Sequence, residues 1–530
     1  MVEGGVGGGE DQAPTPYADA AASSRRSRRG AGWECQEVGR YRELVPPGAR
    51  SFSWLDPRPL LQSRNDKLVR WLGDPIDDIR RAWIAGPLAD GARNDFTITD
   101  LADRTSVSFA VLGDPGEGDG SQFAVVPGLE RRTGDTDFMV LCSDVIYPVG
   151  GVPDYERKFY VPYKDYPGPI YAIPGNHDWY DDLTGFLFAF CGLPPDTPPP
   201  DVPGPGSPRQ RRLRRLLWRK PPTATAEAAE RMTGLRGSAR QQARQPGPYW
   251  AIDAGPLRLV GIDTGILGGI DADQAAWLRR VSLGSPKPKI LFTGKPIYVD
   301  GLYMPCEVAS GGGFVDDVLR DSRCNYVAAI GGDLHNYQRY PVRVEDGRTI
   351  QYLVAGGGGA FLHATHKIPR VDLPGVDEHA FRCYPLRGDS LATFSRIYDR
   401  RFAFGRGLFE IPPDQASALV GERLGMAPTR ATARRVEITR RSRHAARIVY
   451  PLPGRKGGVF HHYYSELLDW NEPPMCKSFL RIDADATTVT ITCYSATGCL
   501  EHELEPPVED AIRGTLGADG RWTWERLPPS

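Results

Sequence analysis

Short apolar runs that stop abruptly at glycine and aspartate fill the middle of the chain. "SVSFAVLGDPGEG", "DFMVLCSDVIYP", "PIYAIPGNHDWY", "LRLVGIDTG", "PKILFTGKPIYV", "YVAAIGGDLHNY" and "IQYLVAGGGGA" each read as a buried strand with polar residues at its C-terminal end. Between two of them, "DADQAAWLRRVS" reads as a helix with Ala276 and Trp277 facing inward. Ahead of the series, apolar residues from Trp33 to about Asp103 recur at helical spacing, as in "DKLVRWLGDPIDDIRRAWIAG". After it, "SFLRIDADATTVTITCYSATG" alternates as two strands about an Asp-Ala-Asp-Ala turn, which would bring the chain back to the core sheet.

This pattern predicts an α/β (α+β) fold with five segments. Residues 1–30, rich in Gly, Ala, Ser and Arg, form a disordered tail. Residues 31–105 form a helical N-terminal segment, 106–370 the core, 371–474 a helical insertion or lid, and 475–530 the returning strands. The core is interrupted at 196–248 by a Pro/Gly hinge and the basic stretch "RQRRLRRLLWRK". That stretch reads as a solvated loop, or as a weak contact from Arg209 to Lys220 with an anionic membrane surface or a polyanion, with Leu213, Leu216, Leu217 and Trp218 as an apolar stripe.

Composition narrows the field further. With 65 Lys plus Arg against 66 Asp plus Glu over 530 residues, no bulk polyelectrolyte partner is implied, and no specific nucleic-acid binding is expected. The nine cysteines are odd in number and contain no C-x-x-C pair, which argues against a disulfide framework and against a zinc ribbon. No secretory leader and no apolar run of about 18 residues are visible, so a cytoplasmic protein without a transmembrane segment is expected.

The chemistry lies at the strand ends. Asp114 in "GDPG", Asp144 and Tyr147 in "SDVIY", Asn176, His177 and Asp178 in "GNHD", and Asp333 with His335 in "GGDLH" would converge at one sheet edge. Three convergent carboxylates cannot all stay ionised without cations, because like charges raise one another's pKa. Asp, Asn, His and a Tyr oxygen suit Zn, Mn or Fe better than Ca.

In order and spacing these segments resemble the calcineurin-like metallophosphoesterase superfamily, especially its purple-acid-phosphatase-like branch. "DPG" from Asp114, "SDVIY" and "GNHD" match that family's first three motifs, and "GDLHNYQRY" is similar to its last, G-H-x-H, with Asp333 in place of the first His. The resemblance spans about residues 106–370 plus the last strands. It implies a two-layer β-sandwich flanked by helices, a metallophosphoesterase core with insertions. It also implies Asp114, Tyr147 and His335 on a first metal, Asp144 bridging, and Asn176 on a second. His177 would stabilise charge or donate a proton to the leaving group, and a ferric ion on a Tyr147 phenolate would colour the protein. The protein Ser/Thr phosphatase signature G-D-x-V-D-R-G is absent.

One departure bears on metal number. No histidine lies between His177 and His335, and Lys295 occupies the place of the expected second-metal imidazole. Two arrangements follow: Asp333 supplies a carboxylate and a second metal survives, or the Lys295 ammonium takes that cation's place and pairs with Asp333. The cofactor expectation is therefore one or two divalent or trivalent ions, Mn, Zn or Fe. The catalytic candidates are His177, Asp178 and Lys295. Glu117, His363 and His366 are further candidates for site contacts, with Asp119 a turn residue or an outer partner. The Gly356–Gly359 run is expected to let backbone approach the site. The expected activity is hydrolysis of a phosphate mono- or diester by metal-bound hydroxide, with a catalytically impaired metal- or phosphate-binding sensor as the alternative.

Overall fold

The computed structural model describes residues 35–49, 53, 56–430, 432–450 and 472–528. The expected tail at 1–30 and part of the 371–474 segment fall outside them. The strands are β1 (Thr97–Leu101), β2 (Val107–Gly113), β3 (Phe138–Cys142), β4 (Ile170–Ile173), β5 (Trp250–Ala254), β6 (Leu257–Ile262) and β7 (Lys289–Thr293). They continue with β8 (Tyr298–Val299), β9 (Leu302–Tyr303), β10 (Tyr326–Gly331), β11 (Tyr337–Arg343), β12 (Thr349–Ala355), β13 (Asp372–Leu373), β14 (Val376–Asp377) and β15 (Arg382–Tyr384). The last four are β16 (Lys477–Ala484), β17 (Thr488–Ala496), β18 (Val508–Leu516) and β19 (Trp522–Arg526).

Two large mixed sheets carry the fold, in the orders β1-β5-β6-β7-β10-β12-β11-β15 and β19-β18-β17-β16-β2-β3-β4. Within them β6, β7, β10 and β12 run parallel, as do β2, β3 and β4, so their C-terminal ends lie at one edge of each sheet. Alternation along each strand divides its side chains between layers. Phe109 and Val111 of β2 enter the core between the sheets, while Ala110 and Leu112 join an outer cluster with helical residues such as Leu129 and Phe186. On the other sheet Ile290 and Phe292 point inward, and Leu291 packs outward with Trp277 and Leu278. The sheets meet through aromatic contacts. Phe109 lies 6.3 Å from Phe292 and Tyr171 6.3 Å from Trp250, whose indole donates to Ala172 O at 2.7 Å. Complete burial of each such ring contributes roughly 2–3 kcal/mol. The result is the helix-flanked two-sheet sandwich.

All seven sequence-predicted strands of the core series form. The sequence reading missed others. The segment expected to be helical ends in β1, which pairs in parallel with β5 at the sheet edge. In the helix Ala272–Leu283, Trp277 is buried as expected but Ala276 is exposed; Ala275 and Leu278 flank Trp277 on the inward face, because neighbours in sequence sit about 100° apart on a helix. Strand β16 adds antiparallel to β2 and carries the returning hairpin into the second sheet. The helix Arg387–Phe402 buries Leu391, Ala392 and Phe394 in the intersheet core.

A disulfide joins Cys35 to Cys499, 464 positions apart, a pairing that local cysteine spacing cannot reveal. No helix among the described residues is long and apolar enough to cross a membrane.

Candidate metal centre at the strand ends

Three turns leave the parallel strands in a conformation that non-glycine residues rarely adopt. Asp114 follows β2 with φ 53°, Ser143 follows β3 with φ 74°, and Asp333 lies two residues past β10 with φ 67°. Strain of this kind persists only where the surroundings over-determine it, and it concentrates at functional sites. Here the surroundings are close-packed glycine backbone. A Cβ on Gly332 or on Gly356 would lie 2.6 Å from Asp114 Oδ2, and one on Gly175 would collide with Asp144 Oδ1. The four-glycine run does bring backbone to the centre: Gly356 abuts Asp114, and Gly358 and Gly359 abut Gly113 O and Pro115 O.

At the middle of the centre stands the Tyr147 hydroxyl. It lies 3.1 Å from Asp114 Oδ1, 3.1 Å from Asp144 Oδ2 and 3.0 Å from His335 Nε2. His335 Nδ1 is 2.7 Å from Phe361 O, a carbonyl, so the ring hydrogen belongs on Nδ1 and Nε2 presents a lone pair to Tyr147. One phenolic hydrogen thus faces three acceptors. Asp114 Oδ2 is fully buried with no hydrogen-bond partner.

The electrostatics follow from that shortage of positive charge. Burial, then Asp144 and Asp333, hold the Asp114 carboxyl well above its ordinary pKa. Burial also raises Asp144, against the opposing pull of His177. Burial, then Asp114 and Asp144, push the Tyr147 phenol up, and burial followed by His363 pulls the His335 imidazole well down. Each shift disfavours charge separation in a dry pocket without a cation. Two carboxylates, a phenol and a neutral imidazole, one carboxylate oxygen having no partner, are a donor set chemically suited to Zn, Mn or Fe. The acids and imidazole do not touch one another directly. Among the described residues the one compact cluster of three Cys, His, Asp or Glu donors is Cys35, Cys499 and Glu501, at the disulfide.

The remaining candidates divide between the centre and its supports. His177 reaches it by its backbone, whose N–H donates to Asp144 Oδ1 at 2.8 Å; its ring lies 4.5 Å from that of Tyr147, with Nδ1 2.7 Å from Pro148 O. The Asn176 amide donates to Tyr180 Oη at 2.8 Å. Asp178 is fully buried and accepts from Val145 N and Gly175 N, both at 3.0 Å, so it ties two of the strand-end turns together. His363 stacks on His335, with centroids 4.4 Å apart, and its Nδ1 accepts from His335 N at 2.9 Å. Glu117 accepts from Phe361 N at 3.1 Å and so steadies the carbonyl that orients His335. His366 sits elsewhere, 2.9 Å from Ser390 Oγ and packed on Phe394. Asp119 caps a short helix through Ser121 N.

Lys295 Nζ lies 3.3 Å from Asp333 Oδ1, and Asp333 is the main reason its proton affinity is raised. Both residues line a cleft of about 670 Å³, together with Arg70, Thr264, Leu267 and Met304. The sequence reading missed two supports and one buried hydroxyl. The Ser143 hydroxyl is buried without a partner. Lys158 donates to the Tyr147 carbonyl. Arg80 binds Asp263 at 2.8 Å, and the other oxygen of Asp263 takes the Trp179 indole N–H at 2.8 Å, which locks the "GNHDW" turn onto the opposite sheet. Lys158 stood in no quoted stretch; Ser143 and Arg80 did, but Arg80 pairs with Asp263 over 183 positions, which no local pattern reveals.

Fold and site define a two-sheet α/β sandwich with a buried carboxylate, phenol and imidazole centre at its strand ends. No family model matches the chain, and no curated protein matches it in sequence. Among solved structures it is similar to a purple acid phosphatase from yellow lupin (Lupinus luteus) seeds, at 10% identity, 78% of this chain and 54% of that chain covered, and TM-score 0.37. It is similar also to PhoD, at 10% identity, 81% and 73% coverage and TM-score 0.36. A third is GAP50, the anchor in the inner membrane complex of Plasmodium, at 13% identity, 53% and 81% coverage and TM-score 0.31. The chain spans about half the length of the lupin protein. At these scores the neighbours decide neither family nor reaction, and the fold assignment rests on the two sheets themselves.

Proposed function

We propose that the protein is a metal-dependent phosphoric ester hydrolase that holds one resident cation and uses Lys295 where a second would stand. The observation that carries this reading is the Tyr147 hydroxyl with three acceptors around it and an unpartnered Asp114 oxygen beside it. Asp114, Asp144, Tyr147 and His335 would hold the ion. When bound, it supplies Lewis acidity, lowering the proton affinity of a water and drawing charge from phosphoryl oxygens.

The chain's own residues then have separate tasks. Lys295, kept charged by Asp333, faces the cleft as a fixed cation for phosphoryl oxygens. The Asn176 amide nitrogen is engaged by Tyr180, which leaves its Oδ1 toward substrate or solvent. With Nδ1–H donated to Pro148 O, His177 gives a proton to the leaving oxygen from Nε2 only as the imidazolium; in the neutral ring Nε2 is an acceptor. Asp178 and Glu117 position these groups through backbone. His366 has no task in this reaction.

A second reading, a sensor that binds without turnover, is favoured by one observation: Asp333 and Asn176 are already engaged, so a second cation has few donors. A panel of chromogenic phosphomonoesters and phosphodiesters, run on metal-free protein reloaded with Mn, Zn or Fe, separates the two. Turnover with one bound ion per chain is expected. A chain that binds metal and stays silent on every ester is a sensor.

A further inference from the structure

Away from the strand ends, the basic insertion forms a second pocket, partly open to solvent. The helix Pro208–Leu217 starts on a Ser207 cap, whose hydroxyl accepts from Gln210 N, and it packs beside the turn at Leu72 and Gly73. The apolar stripe expected here is broken: Leu213 and Trp218 are partly covered, while Leu216 is 79% exposed. Between this helix and the proline-rich segment before it lies a cavity of about 550 Å³, the size of small-molecule sites.

Its walls combine apolar and cationic residues with two carboxylates, Asp182 and Asp201. Ile79, Val202 and Trp218 are apolar, whereas Arg211, Arg212 and Lys220 have no carboxylate within ion-pair distance among the described residues. Arg214, also in the wall, is 4% exposed and donates only to carbonyls, those of Leu72, Gly73, Pro203 and Pro205. Asp74 and Asp78 are near enough to favour the guanidinium charge, but no carboxylate pairs with it directly. Two further arginines in the wall already have partners: Arg215 has exposed Asp201, and Arg219 has Asp181.

We infer that this cavity binds a small organic anion, a phosphate group carried on an apolar body. The buried Arg214 charge and the unpaired cations fit a multiply charged oxyanion, and the Ile79, Val202 and Trp218 walls fit its hydrocarbon part. The site also connects to the strand ends. Trp218 donates to Asp182 Oδ1 at 2.8 Å, and Arg219 holds Asp181; both acids end the turn that begins at Asn176 and His177.

Calorimetric titration of the full chain with dihexanoyl phosphatidate below its micelle concentration tests the inference, alongside inorganic phosphate and phosphatidylcholine vesicles with and without one-fifth phosphatidate. The comparison protein is the double variant Arg212→Gln, Lys220→Gln, whose exposed side chains touch neither the core nor the candidate centre. Saturable binding of dihexanoyl phosphatidate, weakened at least tenfold in the double variant and by added salt, is the expected result. Equal binding by the variant overturns the assignment. So does inorganic phosphate binding as tightly as the phosphatidate, which would leave the apolar walls idle. Binding to anionic vesicles alone also overturns it, since the ligand would then be a lipid surface and not an occupant of the cavity.

Discussion

Lys295 Nζ and Asp333 Oδ1 lie 3.3 Å apart, and the pair bridges the ends of β7 and β10 beside the buried carboxylates of the other sheet. An ammonium so placed does the electrostatic work of a cation without needing a coordination sphere. Replacing Lys295 by Met removes the charge but leaves the Asp114, Asp144, Tyr147 and His335 set intact. Metal content should stay at one ion per chain, while turnover of a phosphomonoester falls by roughly a hundredfold to a thousandfold. Lys295→His returns an imidazole to the position and should raise metal content toward two. Elemental analysis of dialysed protein decides the matter: two ions per chain in the unmodified protein would remove the single-cation reading.

Tyr147 makes a different contribution, because its hydroxyl holds three acceptors apart. In Tyr147→Phe the oxygens of Asp114 and Asp144 and the His335 nitrogen face one another around a void. The metal-free protein should lose about 1–3 kcal/mol in urea denaturation under chelator, the range for leaving buried polar groups unsatisfied. Added Zn or Mn should recover part of that loss, since the ion supplies the positive charge the acceptors lack. A variant as stable as the parent in chelator would mean that water fills the hydroxyl's place and that the centre has no such deficit. If the resident ion is ferric, the visible absorption of the parent should vanish in the variant.

Glycine crowding at the strand ends gives a test of the cradle itself. Gly175→Ala drives a methyl group into Asp144 Oδ1, a buried oxygen that cannot retreat, and should destabilise by about 1–3 kcal/mol with loss of metal uptake. Gly234, at the end of the helix Ala226–Gly234, has open space around it, so Gly234→Ala should be neutral or stabilising by up to about 1 kcal/mol. Equal urea midpoints for the two variants would contradict the close packing described for the strand ends.

The parts legible in the sequence share one property: each depends on a short stretch. An apolar run that ends at an aspartate after a small residue leaves that carboxylate at a sheet edge, as at Asp114, Asp144 and the "GGDLH" end. Groups whose partners lie far along the chain were hidden. Arg80 finds Asp263 across 183 positions, and Cys35 pairs with Cys499. Strand β1 was hidden for the same reason, since five residues of which only Ile98 is buried become a strand only when β5 offers an edge. His366 failed in the opposite way. It follows the glycine run closely enough to suggest the site, but Ser390 and Phe394, from a helix later in the chain, draw it away.

Asp182 offers a pH test that does not involve the candidate metal ligands. It is 4% exposed, accepts from the Trp218 indole, and burial raises its pKa to about 7, with the Trp218 hydrogen bond opposing and Asp181 adding to the rise. An acid whose folded-state pKa exceeds its unfolded value of about 3.9 binds more protons when folded, so stability must fall as pH rises between the two values and level off above the higher one. The full effect of a shift of about three units is of order 4 kcal/mol, lost between about pH 4 and pH 7. Asp182→Asn keeps an oxygen for Trp218 and cannot ionise. Urea denaturation of parent and variant from pH 4.5 to 8.5 should therefore give curves that lie together at the acid end and separate as pH rises, the variant being the more stable by a few kcal/mol at pH 8. Every other titrating group is common to both proteins and cancels in the difference. Parallel curves would mean that water reaches the carboxylate and that the wall between the basic cavity and the "GNHD" turn is open.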